Sequence, residues 1–281
     1  MISPPPLQNP ATPTPSPRIG IFDSGLGGLS VLRSLRRLMP QARLSYVADS
    51  GFAPYGERDD AFIQARSLAV SRWLIKAGVD GLVIACNTAT AAAADLLRQT
   101  WPQTPIVGVE PGIKPAIRAS CNGHVGVLAT EGTLRSARFG RLLQAQRTVG
   151  VELHLQPCPG LAAALESGDA DSPEVQSIVA RCCEPLRQAG VDTVVLGCTH
   201  YPFAAHHIQA ALGGSVRLID TSEAIARQTA RLLGFPLEST LENPPCSGRI
   251  GLYTTGVPAP LQQAAIHWLG LNPADVTVID P

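Results

Sequence analysis

The stretch Val83-Ile84-Ala85-Cys86-Asn87-Thr88-Ala89-Thr90 reads as the end of a buried strand turning into a helix of small residues, with one thiol at the turn. A near-copy follows at Val194-Val195-Leu196-Gly197-Cys198-Thr199-His200-Tyr201, again an aliphatic run that stops at a cysteine and a hydroxyl residue. Short, β-branched runs without charge suit strands of a parallel sheet covered on both faces. In open α/β sheets the ligand sits beyond the carboxyl ends of the strands, where both cysteines fall. A thiol at a helix N-terminus meets unpaired amides and the positive end of the helix dipole, which predicts a lowered pKa and a thiolate near neutral pH. Two such turns predict two facing thiols.

Working outward, the first strand is Arg18-Ile19-Gly20-Ile21-Phe22-Asp23, running into Ser24-Gly25-Leu26-Gly27-Gly28. Glycines between a strand and a helix let the backbone approach a ligand and offer amides to an anionic group. The spacing is not GxGxxG and lacks the acidic residue of a dinucleotide site. A helix with Leu32, Leu35 and Met39 on one face, a strand from Leu44 to Asp49, and a Pro/Gly-bracketed loop around Tyr55 and Gly56 follow. Next comes a helix whose apolar face is read as Phe62, Ala65, Ala69 and Trp73. The strand to Cys86, an alanine-rich helix and the strand Pro105 to Glu110 complete a doubly wound half. The pattern restarts after Pro111 to Pro115 with Val125 to Thr130, a strand from Val151 to Leu155, a helix containing Glu166 and a long helix capped by Ser172. The strand to Cys198 closes this half. After Asp220 come a helix to Leu233 and two further strands, expected to return to the first half and make two crossings over a cleft.

The fold expected is therefore α/β, with two pseudo-symmetric doubly wound parallel-sheet domains and the active site between them. The first would comprise residues 18–113 and 221–281, and the second residues 114–220. Residues 1–17, with seven prolines and no charged side chain, read as a disordered tail.

Twenty-two basic and twenty-two acidic residues leave no net charge, and Arg33, Arg36 and Arg37 read as a solvated helix face, so no nucleic-acid partner is expected. No apolar run approaches the ~20 residues of a membrane span, and no secretory signal opens the chain. A cytoplasmic protein with reduced thiols is expected. Of its seven cysteines none forms a CxxC pair, which argues against a structural zinc site. Cys182 and Cys183 lie in a helical pattern that makes at least Cys182 core packing, and Cys121, Cys158 and Cys246 lack the strand-to-helix setting. That leaves Cys86 and Cys198.

Two opposed thiols with no metal or cofactor motif suggest proton transfer on both faces of one carbon. One cysteine as thiolate would remove the α-proton of an amino acid while the other donates from the opposite side. Such a carbanion demands a dry, preorganised site, because each tenfold of rate needs about 1.4 kcal/mol. Asp23 and His200 are placed to accept protons or set the thiols' protonation. Ser24, Asn87, Thr88, Thr199 and the turn amides could bind carboxylates, and Glu166 defaults to the surface.

The motifs Phe22-Asp23-Ser24-Gly25-Leu26-Gly27-Gly28, Pro54-Tyr55-Gly56, Ala85-Cys86-Asn87-Thr88-Ala89, Gly197-Cys198-Thr199-His200-Tyr201-Pro202 and Asp220-Thr221-Ser222-Glu223-Ala224 together resemble the glutamate racemase family. The resemblance runs from Ile19 to Ala226. It implies a cofactor-independent two-base racemase that makes D-glutamate for peptidoglycan, with Cys86 and Cys198 as the acid/base pair. It also implies substrate contacts at Asp23, Ser24, Tyr55, Gly56, Asn87, Thr88, Thr199 and His200, with Thr130 and Glu166 near the site. Family members are commonly homodimers, and some with N-terminal extensions are activated by a UDP-linked cell-wall precursor. Aspartate racemase of the same family, a Cys-His hydrolase on Cys198 and His200, and a non-catalytic amino-acid-binding module are the competing readings.

Overall fold

The computed structural model describes residues 16–167, 169–236, 248–271 and 275–281. The tail expected over residues 1–17 falls almost wholly outside these residues, as does Cys246. In chain order the elements are β1 (Arg18–Asp23), α1 (Leu29–Leu38), β2 (Arg43–Ala48), α2 (Asp60–Lys76), β3 (Gly81–Ile84), α3 (Asn87–Thr100), β4 (Ile106–Gly108) and α4 (Ile113–Ala119). Then follow β5 (His124–Ala129), α5 (Glu131–Arg135), α6 (Ala137–Ala145), β6 (Glu152–Pro157), α7 (Leu161–Leu165), α8 (Pro173–Gln188), β7 (Thr193–Gly197), α9 (Ala205–Leu212) and β8 (Arg217–Ile219). The chain ends with α10 (Ser222–Leu232), β9 (Ile250–Thr254), α11 (Pro258–Leu269) and β10 (Val276–Val278).

These strands make two sheets, ordered β10-β9-β2-β1-β3-β4 and β6-β5-β7-β8, with every pairing parallel. The run β2-β1-β3-β4 has the same order as β6-β5-β7-β8, so the repeat read from the sequence is a repeat of topology. In each run the order reverses beside its first strand, the kind of switch point where α/β sheets open a crevice. β9 and β10 carry the chain's end back to the first sheet. The two crossings pass side by side, since a Cβ on Gly112 would lie 2.9 Å from the side chains of Ile219 and Thr221.

The central strands are apolar through their middles because helices cover both of their faces. Ile19, Ile21 and Phe22 of β1 are fully buried, and each contributes about 1.5–3 kcal/mol by leaving water. On α2 the buried face differs from the expected one: it is Ile63, Ser67, Val70, Ser71 and Leu74, while Ala65 is exposed. Two small serines against the sheet disguise that stripe, and the bulky Phe62 and Trp73 instead rest at its margins, against Tyr55 and Tyr253 respectively. On the arginine face of α1, Arg33 and Arg37 are exposed as expected and Arg36 is half-buried. Arg36 donates to the Leu269 carbonyl at 3.0 Å, Arg37 pairs with Glu223 and Arg33 lies over the Phe203 ring.

Candidate active site

β3 ends one residue short of Ala85, and Cys86 is the N-cap of α3, accepting the Ala89 amide on its Sγ at 3.4 Å. Its Sγ also lies 3.5 Å from Ser24 Oγ. Cys198 directly follows β7, and its Sγ sits 3.6 Å from His200 Nδ1. Both thiols line one cavity of about 310 Å³, walled by strand ends and loops of both sheets. That volume is at the lower end of the ~300–1,000 Å³ usual for small-molecule sites.

Ser24, Tyr55, Gly56, Asn87, Thr88, Thr130, Glu166, Thr199 and His200 all reach the cavity wall with the cysteines. Asp23 alone of the expected residues stands behind the wall. Its carboxylate is fully buried and accepts from the Gly25 amide at 2.8 Å, Ser24 Oγ at 3.1 Å and Thr199 Oγ1 at 2.8 Å. Burial raises its pKa, against the opposing pull of the His200 charge and these hydrogen bonds.

The environment of Cys86 reverses one expectation. The Ala89 amide and Ser24 do favour the thiolate, but burial and then the nearby Asp23 charge prevail and push the thiol up to about 12. A helix N-terminus lowers a thiol's pKa only while the desolvation of the charge stays small.

Glu166 is not the surface residue of an apolar helix. α7 is a short turn ending at Leu165, and Glu166 caps it, aiming its carboxylate at the Leu26 amide, which donates at 2.7 Å, and at His200 Nε2. Burial works against a charged His200, yet the Cys198 hydrogen bond and the Glu166 carboxylate outweigh it and hold the imidazole well above its ordinary pKa. The glycine turn is explained by the same contacts. Side chains on Gly25 and Gly27 would collide with Glu166 and His200, so the backbone approach predicted for a ligand serves the protein's own carboxylate and imidazole.

Tyr55 is held from behind. Its hydroxyl donates to the buried Asp49, which also accepts from Arg66 Nε at 3.0 Å and Nη2 at 2.8 Å and from Thr255 Oγ1 at 2.9 Å. Across the cavity mouth, Thr88 Oγ1 and Thr130 Oγ1 lie 3.1 Å apart and tie the first sheet's loops to the second's. Cys158 also lines the cavity, just past β6, although nothing in its sequence setting pointed there. With β6 running to Pro157 rather than Leu155, Cys158 sits at a strand's carboxyl end like the other two thiols. Asp49 and Arg66 were equally unmarked, because their pairing joins residues 17 positions apart.

The profile of the Asp/Glu/Hydantoin racemase family matches residues 26–229. The chain belongs to that family. It is 50% identical over 216 residues to a glutamate racemase of Ectopseudomonas mendocina, an alignment covering 77% of this chain and 82% of that relative. A glutamate racemase isoform from Bacillus anthracis superposes with a TM-score of 0.81 at 30% identity, covering 94% of this chain and 96% of the other. The Escherichia coli glutamate racemase, solved with L-glutamate and the activator UDP-MurNAc-ala, superposes at 0.80, also with 30% identity, over 94% of this chain and 98% of that one.

Proposed function

We propose that this chain interconverts L-glutamate and D-glutamate without a cofactor, by two-base proton transfer between Cys86 and Cys198. The carrying observation is that equivalent strand ends of two like-ordered sheets each deliver one thiol to the same cavity. Cys86, held as a neutral thiol by burial and Asp23, is the resting proton donor. Cys198 removes the Cα proton from the other side, with His200 Nδ1 at 3.6 Å to steady its charge. The Cα proton moves to Cys198 Sγ, the electron pair stays on Cα, and the Cys86 proton arrives on the opposite face. For the reverse reaction the roles exchange. A thiol pushed up to about 12 is a stronger base once ionised, which narrows its mismatch with a weakly acidic C–H.

Asn87, Thr88, Thr199, Ser24 and the loop of Tyr55 and Gly56 would hold the two carboxylates, with Thr130 closing the side opposite Thr88. Residues 18–113 with 221–281 would form one domain and residues 114–220 the other, moving about the paired crossings at Gly112 and Thr221. The similarity to glutamate racemases supports glutamate as substrate and a place in cell-wall precursor supply. The UDP-MurNAc-ala bound as activator to the E. coli relative supports a UDP-linked precursor in that role here. A cytoplasmic homodimer fits this function, and no described helix is long and apolar enough to cross a membrane.

The test is incubation of the purified protein with L-glutamate in deuterated water, following optical rotation and deuterium at Cα together. Decay of rotation with deuterium uptake, absent in Cys86→Ala and in Cys198→Ala, is the expected result. Exchange with aspartate but not glutamate would move the assignment within the family, and retained activity in Cys86→Ala would remove the two-base scheme.

A further inference from the structure

At the end of the second sheet away from the cavity, three side chains with metal-ligating atoms share one face. His124 and Glu152 are aligned partners at the first positions of β5 and β6. His154 lies two residues along β6, and a strand's side chains repeat every second residue, so it projects on the same side. His124 Nδ1 is 3.1 Å from His154 Nε2 and 3.7 Å from Glu152 Oε2, and Glu152 Oε1 is 4.0 Å from His154 Nε2.

These separations carry the argument. The carboxylate oxygens stand beyond hydrogen-bond length of either ring, yet within reach of a shared centre. Bonds of about 2.0–2.2 Å to a tetrahedral zinc hold any two donors about 3.4 Å apart, and the three observed separations straddle that value. A second cluster shows the contrast. There, one oxygen of Asp171 meets His206 Nε2 at 2.7 Å and His207 Nε2 at 3.0 Å, lengths at which an N–H already fills the space between the atoms. Its three groups satisfy one another; around His124 the two rings share one hydrogen bond at 3.1 Å and the carboxylate is held by neither, so a cation there takes the place of the shared proton and gains the third ligand.

We propose that His124, His154 and Glu152 bind a divalent transition-metal cation, with Zn²⁺ the best match to two imidazoles and a carboxylate, and water in the remaining position. The two imidazole nitrogens face each other on adjacent strands, fixed by the sheet register. Glu152 is the mobile ligand, with a side chain 66% exposed, and the few tenths of an ångström of closure fall to it. His124 precedes Ala129 at the cavity end of β5 by five residues, roughly 16 Å of strand. The ion would therefore take no part in proton transfer. It would clamp the edge strand β6 to β5, adding to stability as the free metal concentration exceeds its Kd.

The experiment uses the full chain, stripped with EDTA and dialysed, titrated with zinc sulfate by calorimetry and with cobalt(II) chloride by visible absorption. The wild type is expected to take up one more ion than Glu152→Gln or His154→Gln, or to bind it at least roughly 10- to 100-fold more tightly. His206→Gln is expected to match the wild type. The cobalt difference spectrum between wild type and Glu152→Gln is expected to show ligand-field bands without a thiolate charge-transfer band. Glu152→Gln changes an exposed side chain and keeps the fold, which circular dichroism checks. Equal uptake by wild type and both variants, a thiolate band in the difference spectrum, or no uptake by the wild type at millimolar zinc would each overturn the proposal. Racemisation is not read, so the outcome is independent of the substrate assignment.

Discussion

The turns at Cys86 and Cys198 occupy the same place in two sheets of the same order, yet their surroundings differ in kind. Cys86 caps a 14-residue helix and faces Ser24, with a buried carboxylate behind it. Cys198 is followed by a short 3-10 turn and faces an imidazole backed by Glu166. The strand register shows where the difference enters. β1 and β3 align Phe22 with Ile84, and β5 and β7 align Leu128 with Leu196. Matching the two thiols then sets Ser24 against Thr130 and Asp23 against Ala129. The repeat supplies two positions, and one carboxylate without a counterpart makes them chemically unequal. A two-base site needs that inequality, with one thiol and one thiolate at any moment.

The largest way to break the pair is to weaken either base. Cys86→Ser and Cys198→Ser are each expected to lose about 10³-fold or more in turnover, and near-equal losses measured by polarimetry would show that neither side works alone. Asp23→Asn comes next, with an expected loss on the order of 100-fold and a fall in the Cys86 pKa as the neighbouring charge disappears. Its stability effect runs the other way. The folded pKa of Asp23 is raised above the unfolded value, so stability is complete below the unfolded pKa and lost as pH rises through the folded one. Removing the charge is therefore expected to stabilise the fold at neutral pH, read as a higher melting temperature. The gain should vanish near pH 3, and a variant destabilised at neutral pH would refute this account of Asp23.

Glu166→Gln sharpens the comparison from the other side. Without the carboxylate, burial of His200 is less opposed and its raised pKa moves down, so a titration of the imidazole by NMR should shift toward neutral pH. About a tenfold loss of turnover is expected, equivalent to 1.4 kcal/mol. The smallest effect is predicted for Tyr55→Phe. It removes one hydrogen bond to Asp49, worth about 1 kcal/mol, while Arg66 and Thr255 still satisfy that carboxylate. KM should rise a few-fold, roughly as this energy implies, with kcat nearly unchanged.

What was legible in the sequence was local. Aliphatic runs without charge mark the central strands, and a cysteine at the end of such a run marks the cavity, because backbone direction alone carries it there. The glycine turn after Asp23 was legible as a close approach, but not what approaches, since Glu166 lies 140 residues beyond Leu26. Glu166 and Cys158 were obscured for a related reason: the segment after β6 is too short to show a period, and its orientation comes from packing between the sheets. On α2, Ser67 and Ser71 interrupt the apolar stripe of the buried face, and the larger Phe62 and Trp73 give a stronger but misleading pattern. The thiol's acidity was misjudged because a helix terminus is visible in a sequence and the depth of burial is not.

The return of β9 to lie beside β2 has a consequence during synthesis on the ribosome. Strands β5 to β8 are contiguous and are complete when β8 emerges, so the second sheet has all its partners before β9 is made. β2 must wait for residues 250–254, which emerge only after β8 and α10. Until then it presents an open edge, the kind of surface on which nascent chains associate. Truncations that remove β9 should therefore yield aggregated protein, even though every residue lining the cavity has already been made.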